Sequence, residues 1–233
     1  MKTQDIGIGG KVAAIRRPVG RPAMPVDRIV EAALQVIDND GLDALSMRSL
    51  ATQLNSSTAT LYRHFPTQAV LLSAVVDRVL GEADVDAANY RSLGWRQGCE
   101  KIAHEIFGAF ARHRQAALLL ADHLPVGPNS AAVRERTVAA FINGGFEVSV
   151  AARSSAMIGH LILGFAIQLG GERERTGTDR EALRKAVRGL DLTQFPATAA
   201  VRSARWRPTS IEEEFSFALE MVLDGLGRLR DGS

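Results

Sequence analysis

Residues 46–65 combine small hydroxyl, aromatic and basic side chains with an apolar helical pattern. Leu61 and Phe65 are four residues apart, so one face of a helix turns both toward a core. The opposite face of that helix then carries Thr58, Ala59, Tyr62 and Arg63. Hydroxyl, methyl and guanidinium groups are the ones that bond or pack against base edges in the major groove of DNA. The spacing therefore predicts a helix whose outer face enters that groove.

A second apolar pair precedes this helix and predicts a shorter helix in front of it. Leu50 and Leu54 share one face by the same four-residue spacing. Between the two pairs, residues 55–57 (Asn-Ser-Ser) favour a turn and end in a hydroxyl side chain of the kind that caps helix N-termini. We therefore expect the second helix to begin near Ser57 or Thr58, which makes the stretch a helix-turn-helix.

Residues 44–76 contain no acidic side chain, although the chain has 26 of them. Arg48, Arg63 and His64 lie in the same interval. Phosphate would repel a carboxylate placed beside the DNA backbone, so an acid-free surface favours DNA binding. The helical pattern alone fits two ordinary core helices equally well, and the charge pattern favours the DNA interpretation.

Residues 1–24 have no hydrophobic periodicity and contain several Gly and Pro residues, so we expect a flexible arm. The arm is basic, with five Lys and Arg residues against one Asp. Its arginines Arg16, Arg17 and Arg21 resemble those that DNA-binding arms lay along a minor groove. A disordered terminus without a DNA contact fits equally well, and both interpretations stay open.

Apolar residues at helical spacing continue on both sides of the motif, so the predicted fold class is all-α. A first helix runs from near Pro25 to Gly41. A fourth helix has an apolar stripe made of Val70, Leu71, Ala74, Val75 and Val79. We expect an N-terminal helix-turn-helix DNA-binding domain over residues 25–82 and a larger helical domain over residues 83–233.

Longer helical stretches follow in the second domain, separated by loops. The helices are predicted at 95–113, 130–142, 149–169 and 211–229, and the loops at 125–130, 143–148, 172–178 and 191–210. Segment 191–210 contains Pro196 and Pro208 among small residues and is predicted to be mobile. Segment 154–170 is short for a membrane span and contains His160 and Gln168, so a helix buried on all sides fits better.

The motif and its neighbours resemble the DNA-binding domain of the TetR family of transcriptional repressors. The similar residues are Ala32-Ala33, Gly41, Leu50-Ala51, Leu54, Leu61-Tyr62, His64-Phe65 and Leu71-Leu72. The rest of the chain is similar to the regulatory domain of the tetracycline-repressor branch at Trp95, residues 143–146, Leu163-Gly164 and residues 215–226. The resemblance implies a ligand-binding and dimerisation domain, with a homodimer built through the helices near 149–169 and 211–229. Such a dimer reads a palindromic operator.

The resemblance also implies which residues contact DNA. Arg48 matches a base-reading arginine on the first helix of the motif, and we expect it to discriminate most strongly, at a guanine. Base-reading positions on the second helix are matched by Thr58, Ala59 and Tyr62, and phosphate-touching positions by Thr60, Tyr62, Arg63 and His64. Gln68 is a departure, because the family usually has a lysine at the start of the fourth helix.

A ligand cavity in the second domain is a further implication of the resemblance. Where tetracycline repressors have a metal-binding histidine and a partner arginine, this chain has Leu120 and Leu124, so we expect no metal and no magnesium–tetracycline binding. A largely apolar cavity is expected instead, with no cofactor. Its candidate residues are Ile102, His104, Ile106, Phe110, Leu120, Leu124, Thr137, His160 and Gln168. His113 is a further candidate polar group.

Other function classes find less support in the sequence. The five histidines show no metal-ligand spacing, and the sole cysteine, Cys99, fits an inert thiol in a helix better than a redox sensor. An enzyme is therefore not expected. A nonspecific architectural DNA-binding protein would use the same arm and motif without a cavity, and the net charge of only +2 speaks mildly against it.

The combined prediction is a cytoplasmic, ligand-responsive homodimer that binds double-stranded DNA and no membrane. A small, largely apolar effector is expected to move the fourth helix like a lever and release a palindromic operator. Repression is the favoured outcome, and activation stays open.

Overall fold

The computed structural model describes residues 24–86, 90, 92–174, 177–204 and 209–232, and every regular element among them is helical. The predicted all-α fold class is thereby confirmed. The arginines of the predicted basic arm, Arg16, Arg17 and Arg21, lie outside the described residues.

The helices are numbered in chain order. The first are α1 (Val26–Asp40), α2 (Met47–Gln53), α3 (Thr58–His64) and α4 (Gln68–Leu80), with a short 3-10 turn (Leu42–Ala44) between α1 and α2. The others are α5 (Trp95–Arg112), α6 (Arg114–Ala117), α7 (Pro128–Asn143), α8 (Val148–Glu174), α9 (Gly177–Arg188), α10 (Pro196–Ser203) and α11 (Ile211–Asp231), and a second 3-10 turn (Leu118–Ala121) follows α6.

Helices α1 and α4 contact each other and support the helix-turn-helix. Their fully buried side chains are Ile29, Ala33 and Ile37 of α1 and Leu71, Val75, Val76 and Val79 of α4. Val70 was predicted on the same stripe but is exposed, because it lies about 100° around the helix from Leu71. Gly41 ends α1 as predicted, with a φ of 87° that favours glycine.

Hydroxyl side chains start the three helices α2, α3 and α4. Ser46, Ser57 and Thr67 each accept the backbone amide three residues further on, at 3.0, 3.2 and 3.3 Å. Each such cap typically stabilises a helix by about 1 kcal/mol. The predicted helix start near Ser57 or Thr58 is confirmed. Asn55 makes the preceding turn with a φ of 50°, which Asn adopts more readily than most residues.

Helices α5, α7, α8 and α11 pack together in the second half of the chain. Phe215 of α11 is fully buried, with its ring stacked on that of Phe107 of α5 at a centroid distance of 4.3 Å. Trp95 at the start of α5 contacts the rings of Phe141 and Phe146 at centroid distances of 5.9 and 4.8 Å. These aromatic contacts hold α5, α7 and the turn before α8 together.

The predicted loops at 172–178 and 191–210 contain more helix than expected. Helix α8 continues to Glu174 and α9 begins at Gly177, so the predicted loop at 172–178 is mostly helix. Helix α10 lies inside the predicted loop 191–210. Its first residue is Pro196, and proline suits the first position of a helix because it has no amide hydrogen to leave unbonded. The mobility of this segment stays a prediction.

Helix α8 is not buried on all sides, so that prediction is wrong for the single chain. Ile158 is buried, whereas Met157, His160 and Gln168 are exposed. By length and composition alone, its stretch Val148–Gly170 could cross a membrane. Exposed polar side chains on an apolar helix are costly in lipid, so this face is more typical of one that another protein covers.

We expect Gly144→Ala to destabilise the protein by about 1–3 kcal/mol, the usual cost of overpacking. A methyl group at Gly144 would lie 2.4 Å from Cβ of Trp95, which the ring contacts of Trp95 hold in place. The matched control is Gly108→Ala on α5, where the nearest atom lies 3.8 Å away. Urea unfolding at equal protein concentration measures both. Equal stabilities of the two variants would contradict the packing argument.

Candidate DNA-binding surface and ligand cavity

The outer face of α3 is exposed, as the sequence predicts. Leu61 and Phe65 are buried beneath it, and Tyr62 is 49 % exposed on the opposite side. The remaining exposed residues of this face are Thr58, Ala59 and Arg63. Thr60 is half-buried, and its hydroxyl lies 2.9 Å from that of Ser57. The exposed face of α3 forms a ridge that carries hydroxyl, methyl, phenol and guanidinium groups. These groups can contact DNA without rearrangement of the helix.

Two exposed arginines belong to this surface, one on α2 and one on α3. Arg48 on α2 and Arg63 on α3 are both exposed, and neither forms an ion pair within the part of the chain that the structure describes. A guanidinium held by no carboxylate can bond to a guanine edge or to phosphate without losing an internal partner. Both side chains are thus available for DNA.

His64 and Gln68 are less available than the outer face of α3. His64 is half-buried, and its Nε2 is buried without a hydrogen-bond partner, so only Nδ1 can reach phosphate. Gln68 donates from Nε2 to the carbonyl of Leu45 at 3.1 Å. The side chain that replaces the usual lysine therefore ties the start of α4 to the residue before Ser46, the N-cap of α2.

A cavity of about 670 Å³ lies between the end of α4, α5, the turn after α6, α7 and α8. Its apolar lining comes mainly from Leu80, Ile102, Ile106, Phe110, Ile158 and Ile162. All six side chains are buried, and they belong to three different helices. The cavity can therefore enclose an apolar molecule of drug size.

Seven of the nine predicted ligand-binding residues line this cavity. They are Ile102, Ile106, Phe110, Leu120, Leu124, Thr137 and His160. His104 and Gln168 do not. His104 is exposed and its ring packs edge-on against Phe215 at 5.4 Å, while Gln168 is exposed and donates to the carbonyl of Gly164. Both lie on helix faces turned away from the cavity. Helical periodicity alone does not determine which face of a helix is directed toward a cavity.

Several polar side chains also line the cavity. Thr137 is buried, and its hydroxyl donates to the carbonyl of Val133 at 2.8 Å. The Nδ1 atom of His123 lies 3.3 Å from the carbonyl oxygen of Leu119. Because a carbonyl oxygen can only accept, Nδ1 is the donor in this contact, and Nε2 is available to a ligand. Arg134 is exposed where it lines the cavity. The lining therefore suits a largely apolar molecule that carries some polar groups.

The predicted candidates omit five polar residues that line the cavity, Asp122, His123, Ser130, Arg134 and Ser155. Asp122 and His123 follow the 3-10 turn after α6, where no helical periodicity marks the inner side. Arg134 lies one turn before Thr137 on α7, so its position could have been found from that spacing.

His113, predicted as a polar group of the cavity, instead joins the two halves of the chain. Its Nδ1 lies 2.7 Å from a carboxylate oxygen of Asp38 at the end of α1, and its Nε2 lies 3.0 Å from one of Glu82 after α4. The two ring nitrogens therefore connect α1 to the segment after α4 through carboxylate oxygens. Arg78 and Arg112 also contact Glu82, at 3.3 and 3.4 Å.

The pKa of Glu82 is lower than its ordinary value of 4.5. Burial is the largest single influence and would raise this pKa, but it is outweighed by the hydrogen bond and charge of His113, together with Arg78 and Arg112. Cys99 is buried, and burial raises the pKa of its thiol to about 12. A thiol held protonated in this way is a poor nucleophile, which fits the inert thiol expected from the sequence.

Two family models match the chain. The one described as "Bacterial regulatory proteins, tetR family" matches residues 29–75, and "Tetracyclin repressor-like, C-terminal domain" matches residues 91–230. The first covers the helix-turn-helix, and the second covers the helices that enclose the cavity.

Curated and solved proteins with similar sequences agree with these matches. The HTH-type transcriptional repressor DrrR1 of Streptomyces coeruleorubidus is 29 % identical over 214 residues, 88 % of this chain and 78 % of the relative. An HTH-type transcriptional regulator of Saccharopolyspora erythraea is 30 % identical over 181 residues, 77 % of this chain and 75 % of the relative. The solved structure of the TetR family protein ActR of Streptomyces coelicolor, in complex with actinorhodin, has a TM-score of 0.77 at 28 % identity and covers 89 % of this chain and 98 % of its own.

We expect Glu82→Gln to lower the free energy of unfolding at pH 7 by about 1–3 kcal/mol, the usual worth of a hydrogen bond to a charged group. Because the folded pKa of Glu82 lies below 4.5, its stabilisation is present above that pH and is lost as the pH falls further. The difference between wild type and variant should therefore shrink below that pH. Urea unfolding across the range measures it.

Glu135→Gln is the matched control, because Glu135 is exposed on α7 and contacts no cation in the described part of the chain. A Glu82→Gln difference that is constant with pH would contradict the ionic role of Glu82.

Proposed function

Because the chain belongs to the tetR family of bacterial regulatory proteins, we propose that it represses transcription as a homodimer bound to a palindromic operator. A small, largely apolar effector releases the operator when it fills the cavity beside α4. The observation that carries this proposal is that one helix, α4, reaches both sites. Its first residue, Gln68, is bonded beside the helix-turn-helix, and its last residue, Leu80, lines the cavity.

We propose that the outer face of α3, together with Arg48, reads base edges. The base readers are Arg48, Thr58, Ala59 and Tyr62, and the phosphate contacts come from Thr60, Arg63, the phenol of Tyr62 and Nδ1 of His64. The support is the exposure of this face and the unpaired state of both guanidinium groups in the described residues. Arg16, Arg17 and Arg21 would add minor-groove or phosphate contacts from the arm.

The effector is proposed to be a small, largely apolar molecule of drug size. The cavity volume of about 670 Å³ and its aliphatic and phenyl lining support this class. ActR, which is similar over most of the chain, was solved with actinorhodin. A magnesium–tetracycline chelate is not proposed, because Leu120 and Leu124 offer neither a metal ligand nor a charge.

The dimer is proposed to form through α8 and α11, as the sequence resemblance implies. On α11, Phe217 is 67 % exposed and Met221 is 51 % exposed, opposite the buried Phe215 and Leu219. On α8, the exposed face carries Met157 together with Gly164, beside which space is open. Large exposed apolar side chains next to open glycines suit close packing against another helix pair.

Two small residues of α8 lie next to the cavity. Ala156 and Gly159 line the cavity, on the neighbouring face of α8. Gly164 remains available for close helix packing.

The remaining parts of the proposal follow from repression. The proposed location is the cytoplasm, where the DNA target lies, and no catalytic role is proposed. The proposed domains are an arm (1–24), a DNA-binding domain (25–82) and a ligand-binding and dimerisation domain (83–233). A nonspecific architectural protein would have no use for an apolar cavity beside α4, so this alternative is not favoured.

Selection of duplexes from a random DNA library by the purified full-length protein tests sequence-specific binding. We expect an enriched palindrome with half-sites about one helical turn, ~34 Å, apart. Retention of DNA without enrichment would contradict the proposed function and favour the architectural alternative.

Arg48→Ala and Arg63→Ala should then weaken binding in different ways. Arg48→Ala should remove about 1–3 kcal/mol of discrimination at one base pair of each half-site. Arg63→Ala should weaken binding to all duplexes and reduce the salt slope by about one phosphate contact per protomer. Affinity measured for the selected and single-base-changed duplexes at several salt concentrations separates the two effects. An equal loss of sequence preference in both variants would contradict the assigned roles.

Met221→Lys should shift the dimer toward monomer, because it places a charge in the proposed apolar interface. Val126→Lys is the matched control, since Val126 is 68 % exposed in the loop before α7. Sedimentation velocity over a concentration series measures both. Dissociation constants raised equally in both variants, or in neither, would contradict an interface through α11.

A further inference from the structure

Helix α7 begins without a capping side chain of its own. Its N-cap residue is Gly127, and its first residue, Pro128, has no amide hydrogen. The first amides that need an acceptor are therefore those of Asn129 and Ser130. In most helices, a Ser, Thr, Asp or Asn at the N-cap position accepts these bonds.

The missing cap is supplied by Asp77 of α4. Its Oδ1 accepts from the amide of Ser130 at 2.8 Å, and its Oδ2 accepts from the amide of Asn129 at 3.3 Å. The side-chain amide of Asn129 also donates to Oδ2, at 3.1 Å, and to the Asp77 carbonyl, at 3.0 Å. A Cβ added at Gly127 would lie 2.4 Å from this carboxylate. The carboxylate of Asp77 thus takes the space that an N-cap side chain would use.

Asp77 is only 5 % exposed, and it is the one charged residue in the buried class among those that the structure describes. A buried carboxylate must be fully hydrogen bonded, and the positive end of the α7 dipole adds to its stabilisation. Removing this contact would leave a buried charge without partners. Helices α4 and α7 therefore cannot separate freely at this point.

Ser130, which Asp77 caps, lines the cavity, and so do Val133 and Thr137 further along α7. We propose that Asp77 is a positioning residue that couples the cavity to the DNA-binding motif, by carrying any displacement of the start of α7 into α4. This inference rests on the proposed function. It assigns the coupling to one buried carboxylate rather than to general packing between the two halves.

Coupling of this kind is reciprocal, so operator binding must also alter the start of α7. The selected operator duplex can therefore serve as the probe, and no effector is needed. Amide hydrogen exchange of the full-length protein, free and saturated with that duplex, is followed in peptides over residues 57–65 and 127–133. Wild type should show protection of the first peptide and a change of about fivefold or more in exchange at the second.

A double variant, Asp77→Ala with Gly127→Ser, separates coupling from folding. The alanine vacates the space beside Gly127, and the serine can cap α7 from within its own chain segment. Gly127 has a φ of 170°, an extended conformation that serine adopts without strain. We expect exchange of residues 127–133 in the free variant to stay within about twofold of wild type, while the operator-dependent change is lost. Asp77→Asn should also lose that change, and Glu135→Gln, with the same charge difference on the exposed side of α7, should keep it.

Three results would overturn the inference. An operator-dependent change that persists in the double variant would make Asp77 a structural cap only. In the wild type, operator binding could protect residues 57–65 without changing hydrogen exchange in residues 127–133. That result would refute the coupling but leave the proposed DNA binding intact. Failure to select any duplex would refute the proposed function, and the inference with it.

Discussion

Burial of α4 between the two halves of the chain is the constraint on which the other functional features depend. Its buried residues are Leu71, Leu72, Val75, Val76, Asp77, Val79 and Leu80. Such a close-packed helix moves between discrete arrangements, because each displacement must repack its neighbours. The helix meets α1 beside the DNA-binding motif, α7 at a buried carboxylate and the cavity at its last turn. In the proposed function, a molecule in the cavity acts on the motif through this one helix, and no extended relay of side chains is needed.

The local structure of the DNA-binding half is largely predictable from the sequence. Leu50, Leu54, Leu61 and Phe65 are all buried, at the spacing that predicted two core-facing stripes. The turn between them is predicted by residue types whose preferences are local, because an Asn with positive φ and a Ser cap need no distant partner. The outer face follows as the complement of the buried one. Prediction succeeds where the periodicity, the turn and the cap all agree.

Prediction fails where a side chain depends on a distant part of the chain. His113 was expected to be a cavity residue, but carboxylates from α1 and the end of α4 surround it, at separations of 75 and 31 residues. Periodicity assigns His104 and Gln168 to helices without fixing which of several apolar faces turns to the cavity. Asp77 gives no local signal, because the cap that it completes lies 50 residues away in α7. A glycine followed by proline at a helix start is the one local sign that an outside acceptor is needed.

Helix α8 links the cavity to the proposed dimer interface. Ala156 and Gly159 line the cavity, while Met157 and Gly164 lie on the neighbouring exposed face. Because adjacent residues of a helix are about 100° apart, an effector pressing on the first face displaces the second as well. The separation of two DNA-binding motifs in a dimer would then depend on both the movement of α4 in each protomer and the packing of α8 between them. The exposed face that contradicts the prediction of a fully buried helix is therefore expected for a helix with one face toward a ligand and another toward a second subunit.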